Sequence, residues 1–156
     1  MRKKLADELT KLIRLLSQAP PAVHIKVDDT ARFALPTGDH GTVTTESNAE
    51  IGAKHEFGIG VPQRSFLRMP LENKLPEFVE KTVKEPEELI KDSLKNSTLA
   101  PLMMALATAC EATIQGAFET GGFGNWPAHS PTTKSISGKL LDETGQLRKA
   151  IKTEVK

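Results

Sequence analysis

His55-Glu56 is the nearest this chain comes to a catalytic pattern, because zinc proteases place a histidine ligand and a glutamate base side by side on a helix. That chemistry needs a second histidine four residues on, on the same helical face, and position 59 is Ile59. The motif is therefore incomplete. His24, His40 and His129 are scattered without ligand spacing, and the single cysteine, Cys110, cannot make a thiolate pair, so no metal site is expected. Asp28, Asp29, Asp39 and Glu46 could supply carboxylates, yet nothing sets two of them at a defined separation, and turn chemistry accounts for the aspartates equally well. Ser130 and Ser135 have no neighbouring His and Asp arrangement. Gly58-Ile59-Gly60 and Gly121-Gly122-Phe123-Gly124 lack the following Lys-Ser/Thr and the strand-to-helix context of a phosphate loop, so both read as turns. No catalytic residue and no cofactor are expected.

Recognition chemistry is better represented. From His55 to Arg68 the chain sets Phe57 and Phe66 beside Gly and Pro, and Arg64 and Arg68 fall four apart, on one face if this part is helical. Such a face can bind a partner, or it can be a solvated arginine face with two core phenylalanines behind it. Trp126, the only tryptophan, lies in an irregular stretch rich in Gly, Ser, Thr and Pro over about residues 120–139, longer than most loops inside a domain.

The chain that must position these residues has 156 residues and a mass of 17.0 kDa, one domain's worth on the usual scale of about 100–200 residues. Hydrophobic residues at 38% are too many for a disordered chain, and 21 basic against 20 acidic side chains are too balanced for an electrostatic nucleic-acid clamp. Aromatic residues, at 4%, are too few for a base-stacking platform. One cysteine excludes an internal disulfide, and Asp7, Glu8, Lys11 and Arg14 interrupt any apolar run after the basic N-terminus. With no stretch approaching the roughly 20 apolar residues of a bilayer span, the reading is a soluble protein of a reducing cytosol, without a membrane partner.

Residues 2 to 18 carry Leu5, Leu9, Leu12, Ile13 and Leu16 at steps of three and four, an amphipathic helix ended by Pro20 and Pro21. Val23 to Val27 alternates as a strand with one buried face. Arg32 to Leu35 and Thr42 to Thr45 could add short strands, with turn formers between. Asn48 to Phe57 reads as a short helix capped by Asn48 and stopped by Gly58. A helical region from near Arg64 through Val79 is expected to kink or split at Pro70 and Pro76. Pro86 restarts a helix in which Glu87 and Lys91 are spaced to pair. Leu99 to about Glu119 is the strongest helix, with Leu102, Leu106, Ala109, Thr113, Ile114 and Ala117 on one face and Gly121-Gly122 ending it. After a turn at Asp142 to Gly145, Ile151, Thr153 and Val155 alternate as a strand. The expectation is one α+β domain over residues 1–156, with several helices packed on a small, mostly antiparallel sheet.

In order and spacing these signals resemble the virion-morphogenesis and tail-completion family of tailed bacteriophages, the Mu-type proteins and their relatives in siphophage necks. The resemblance rests on Ala49 to Gly58 leading into His55-Glu56-Phe57-Gly58, then Pro62, Arg64, Phe66 and Arg68. It continues in the helix Leu102 to Phe118 running into Phe123-Gly124-Asn125-Trp126-Pro127, Ser130-Pro131 and Thr132 or Thr133. It closes on Leu140-Leu141-Asp142, Thr144-Gly145, Leu147-Arg148 and Ile151. One departure is the compact stretch Lys134 to Lys139, without the proline that often precedes the Leu-Leu pair.

The resemblance implies a non-enzymatic virion component of the phage neck, acting in tail completion or head-to-tail joining and assembled in the host cytoplasm. It implies a hexameric ring whose neighbours are a tail terminator, tail tube or head-completion or adaptor protein. Genomic DNA would pass through the lumen without sequence-specific contact, which the balanced charge suits. The subunit and partner contacts are then expected at Phe57, Arg64, Phe66, Arg68, Trp126, Leu141 and Arg148, with Trp126 as an aromatic anchor and Arg64 and Arg68 as charged partners. The other reading of Trp126 is that it covers the domain's own core. Two further functions stand beside this one: a small metal-dependent hydrolase using His55 and Glu56 with distant carboxylates, and a nucleic-acid-binding module using Arg2, Lys3, Lys4, Lys11 and Arg14.

Overall fold

The order of elements follows from where the chain's apolar periods begin and end. The computed structural model describes residues 2–18, 21–29, 46–129, 140–142 and 145–156. The elements are α1 (Arg2–Ser17), β1 (Val23–Val27), α2 (Asn48–Phe57), α3 (Arg68–Thr82), α4 (Pro86–Asn96), α5 (Ala100–Thr120), α6 (Gln146–Ala150) and β2 (Ile151–Val155). The chain is an α+β protein. The possible strands at Arg32 to Leu35 and Thr42 to Thr45 lie outside the described residues.

β1 and β2 are the two expected strands, and they pair with each other antiparallel, Val23 opposite Val155 and Val27 opposite Ile151. Their alternation puts Val23, Ile25, Val27, Ile151 and Thr153 on one half-buried face, with His24, Lys26 and Lys152 turned outward. That face and α6 close over α5. The core is Phe66, Ile114, Ala117, Phe118, Trp126 and Leu147, with Ile25, Val27, Leu67, Leu71 and Ile151 packed around it. The small residues of α5 serve close packing: a Cβ at Gly116 would sit 2.9 Å from Phe78 Cζ of α3. Among the described residues no helix is long and apolar enough to cross a membrane.

Several local expectations are corrected. The cap of α2 is Ser47 rather than Asn48: Ser47 Oγ accepts from Glu50 N at 3.2 Å, and Glu50 Oε2 accepts from Ser47 N at 2.8 Å. A serine three residues before a glutamate closes this reciprocal box, leaving Asn48 as the first helical residue. Gly58 ends the helix as expected, at φ 71°. α3 begins at Arg68, not near Arg64, and runs unbroken through both prolines. Pro70 falls in the first turn, where no intrahelical donor is lost. Pro76 leaves the Glu72 carbonyl without its N–H partner, but both residues are exposed, so water can replace the bond. In α4 the ammonium of Lys91 pairs with Glu88 at 2.5 Å, three residues back, instead of with Glu87. α6, five residues between the expected turn and the expected strand, was not anticipated.

α1 forms as its period dictates, but of the stripe's described side chains only Leu12 is half-buried. Leu9, Ile13 and Leu16 are 56%, 56% and 54% exposed, and the helix is tied to the body by Lys11 Nζ donating to the Leu94 carbonyl of α4.

Candidate functional site

The segments singled out in the sequence, His55 to Arg68 and Phe123 to Pro127, fold against each other. Between α2 and α3 the chain crosses at Pro62 to Leu67, and it passes the same place again after α5. At the first crossing α3 has a structural problem: its N-cap position is Leu67, which offers no side-chain acceptor to the first backbone amides. Glu56, from the last turn of α2, supplies one. Its Oε2 accepts from the amides of Phe66 and Leu67 at 2.9 and 3.0 Å, and its Oε1 accepts from the Arg68 amide at 3.1 Å and from Ser65 Oγ at 2.6 Å. Ser65 Oγ in turn accepts from Met69 N at 3.0 Å. Glu56 is 5% exposed and acts as an acceptor on both oxygens, a carboxylate set at the positive end of a helix.

Arg64 does the equivalent for the second crossing. The residue is 6% exposed, and its guanidinium donates from Nε to the Pro127 carbonyl at 3.0 Å and from Nη2 to the Ala128 carbonyl at 3.1 Å. Its backbone amide donates to the His55 carbonyl at 2.8 Å. The expected face shared by Arg64 and Arg68 does not form, because Arg64 precedes the helix and turns inward. Arg68 is exposed and pairs with Glu72 at 3.7 Å. Burial draws the Arg64 guanidinium below its ordinary value.

Between these crossings α5 ends in a left-handed turn. Gly121, Gly122, Phe123 and Gly124 all have positive φ, between 57° and 81°. Glycine tolerates that conformation and Phe123 does not do so freely, so the turn must be held by its contacts. It is: Phe123 N donates to Thr120 Oγ1 at 2.8 Å, Trp126 N donates to the Gly121 carbonyl at 3.0 Å, and the Phe123 ring meets Phe78 edge-on at 6.0 Å. Gly122 also has no room for a side chain, since a Cβ there would run into the Trp126 indole. Trp126 is 9% exposed, meets Phe118 edge-to-face at 5.7 Å, and donates from Nε1 to the Ser65 carbonyl at 3.0 Å. Phe118 lies 5.4 Å from Phe66, which is fully buried.

No family model, no curated protein and no solved structure matches this chain.

Of the seven residues expected at interfaces, the node therefore takes three into the protein's own interior: Arg64, Phe66 and Trp126. For Trp126 the structure gives the core placement. Phe57 and Arg68 stay outside, Phe57 at 63% exposure, with Ile59 at 58% and Met69 at 45% beside them in sequence. Leu141 and Arg148 belong to a separate group. Leu141 packs half-buried on the core at φ 63°, and Arg148 joins Gln115, Glu119 and Asp142, with Nη2 to Glu119 at 2.7 Å and Nη1 to Asp142 at 3.4 Å.

His55 and Glu56 point to different surroundings. Glu56 is consumed by its four donors, while the half-buried His55 leaves Nδ1 without a hydrogen-bond partner. Burial pushes the His55 imidazole below its ordinary value, Arg64 pushes it further, and the backbone of Pro62 opposes them. Among the described residues no group of three or more His, Cys, Asp or Glu is placed to hold a metal. A half-open cleft of about 330 Å³ lies beside the node, walled by Met69, Phe123 and Trp126 and rimmed by Gln63, Asn73 and Lys74. Its polar rim is largely engaged. Gln63 Nε2 donates to the Glu56 carbonyl at 3.0 Å, Asn73 Nδ2 to the Met69 carbonyl at 2.8 Å, and the Lys74 ammonium sits 5.6 Å over the Phe123 ring.

The roles of Glu56, Ser65 and Gly122 were missed in the sequence. The available signal was a helix start at Arg68 with no capping residue before it and an acidic residue at the wrong, C-terminal end of the preceding helix.

Proposed function

We propose that this chain is a structural, non-enzymatic subunit of a bacteriophage neck, acting in tail completion or head-to-tail joining as a member of a ring. One observation carries the reading: the two segments that bear the family resemblance, far apart in the chain, form a single interlocked node through Arg64 to Pro127 and Ala128 and Trp126 to Ser65. Residues recognised together in sequence are used together as a scaffold. Their polar groups are spent on backbone amides and carbonyls, which suits a fold determinant better than a reaction centre. Glu56, the base that a hydrolase reading would need, has both oxygens occupied.

What such a node leaves for partners is its rim. Phe57, Ile59 and Met69 are large apolar side chains left in water, with Arg68 as a charged neighbour, a composition suited to docking another protein surface. The ring, its hexameric order, the terminator, tube and adaptor partners, and passage of DNA through the lumen belong to this proposal through the resemblance. Electron microscopy of particles carrying a labelled copy tests it. Label at the junction of head and tail, and unjoined heads and tails when the gene is deleted, are expected. Fully joined, infectious particles without the protein would overturn it.

A further inference from the structure

We propose that α1 docks its outward apolar stripe across the solvent face of α5 on a neighbouring copy of this chain, a head-to-tail contact. This deepens the ring reading and rests on it for the closure of the ring, but the two fail separately, because the neck is tested on particles and the contact on purified protein. α1 meets its own body along the wrong edge for an amphipathic helix. Its half-buried side chains, among those described, are Lys11, Leu12 and Leu15, and it packs against α4, where Lys11 Nζ donates to the Leu94 carbonyl. Leu9, Ile13 and Leu16, at steps of four and three, are each more than half exposed. The stripe is turned away from its own protomer, so its partner comes from outside.

Charge selects that partner. α1 has five Lys and Arg against Asp7 and Glu8, so pairing two α1 helices would set net positive charge against itself. α5 has no Lys, Arg or Asp and two glutamates, Glu111 and Glu119. Its solvent face runs through Ala100, Met104, Thr108 and Glu111 at steps of four, four and three, with Met104 at 59% exposure and the half-buried Ala105 and Ala112 alongside. Thr108 turns its hydroxyl back to the Met104 carbonyl at 3.0 Å, and Glu119 is held by Arg148 at 2.7 Å. The middle of α5 is thus smooth and apolar, with its free negative charge at Glu111. Small side chains let a second helix approach closely, and Leu9, Ile13 and Leu16 form the ridge that such a surface receives. Arg14, exposed and next to Ile13 in the chain, is the cation that the contact pairs with Glu111. The lengths match, about 24 Å of α1 against about 30 Å of α5.

Sedimentation velocity of the full chain from about 10 μM to about 1 mM covers the affinities of so small an interface. The wild type is expected to self-associate in that range, and more weakly in about 0.5 M than in about 0.05 M salt. Leu9→Ser with Ile13→Ser removes the stripe, and Met104→Ser with Glu111→Lys alters the face. Each double variant alone is expected to be monomeric with unchanged circular dichroism, since all four sites are exposed. Mixed in equal amounts, they are expected to form a dimer and stop there, because each supplies the surface that the other lacks. Arg14→Glu or Glu111→Arg singly should weaken association about tenfold, and the two together in one chain should restore it. A wild type monomeric throughout, a face variant that associates as the wild type does, as pairing of two α1 helices requires, or a mixture that stays monomeric would overturn the proposal. So would stripe-dependent binding to vesicles of phosphatidylcholine with phosphatidylglycerol in place of self-association. Should either double variant lose helicity, the Arg14 and Glu111 exchange decides, and exchanged charges that fail to restore association sink the contact. Label at the junction of head and tail together with monomeric protein would end the contact and keep the neck, and self-association together with joined particles after deletion would do the reverse.

Discussion

Replacing Glu56 separates a structural carboxylate from a catalytic one. In Glu56→Ala the amides of Phe66, Leu67 and Arg68 and the hydroxyl of Ser65 lose their acceptor together. Hydrogen bonds to a charged group contribute about 1.5–3 kcal/mol each, but they are not independent, and the half-buried Leu67 and exposed Arg68 amides can recover water. Phe66, fully buried, cannot. A loss of about 3–5 kcal/mol is expected, a large share of a typical domain's 5–15 kcal/mol and about 10 °C or more in melting temperature at this chain length. Glu56→Gln keeps the shape and one acceptor oxygen but turns an NH2 toward amide donors, so it should cost about 2–3 kcal/mol. Urea unfolding followed by Trp126 emission measures both, with an unchanged slope indicating an unchanged denatured state. A Glu56→Gln protein within about 0.5 kcal/mol of wild type would refute the capping argument. A hydrolase using Glu56 as its base predicts the opposite pattern, activity lost and stability kept.

Trp126→Ala should lower monomer stability by about 3–5 kcal/mol, since it opens a cavity beside Phe118 and leaves the Ser65 carbonyl unpaired; calorimetry checks it, and an unchanged melting temperature would refute it. Gly122→Ala and Gly124→Ala share positive φ, at 69° and 81°, but only the first meets Trp126, the other opening onto free space. The Gly122 variant should therefore cost about 3 kcal/mol or more against about 1 kcal/mol for Gly124, and equal costs in chemical denaturation would mean that conformation alone matters. Phe57→Ser and Ile59→Ser should leave the melting temperature within about 2 °C, both residues being exposed, while reducing sedimentation of assembled species; unaltered assembly removes this rim from the docking surface.

How far the fold could be read in advance depended on the range of the interactions involved. α1, α5 and both strands were legible because each is set by a local apolar period, and Gly58 and Gly121 marked helix ends because a residue without Cβ adopts those φ values at least cost. The pairing of β1 with β2 joins residues on opposite sides of nearly the whole chain, and no local pattern encodes it. Pro76 misled because a proline's effect depends on whether water can reach the carbonyl it abandons. Arg64 misled more seriously. Spacing made it a partner of Arg68, whereas its partners are two carbonyls more than sixty residues on, which have no side-chain signature at all. For the same reason Phe57 and Phe66, similar in sequence, part company: one ends a helix in water and the other fills the core.

The exposed apolar side chains fall on different elements, and their distribution bears on assembly. Lys11 ties α1 to Leu94 of α4, the helix before α5, whereas Phe118 and Trp126 meet where α5 ends. At 1.5 Å per residue the 21 residues of α5 span about 30 Å. α1 exposes Leu9, Ile13 and Leu16 in one stripe, and a helix of its length holds poorly in water without packing. Two unlike surfaces on one subunit are the geometric requirement for head-to-tail contact, the kind that closes into rings when the rotation between copies allows. A two-fold dimer would need only one of them. Within the proposed function, the α1 stripe and the side chains Phe57 and Ile59 are two unlike apolar surfaces of the kind a ring contact needs, while the only tryptophan is kept inside the fold.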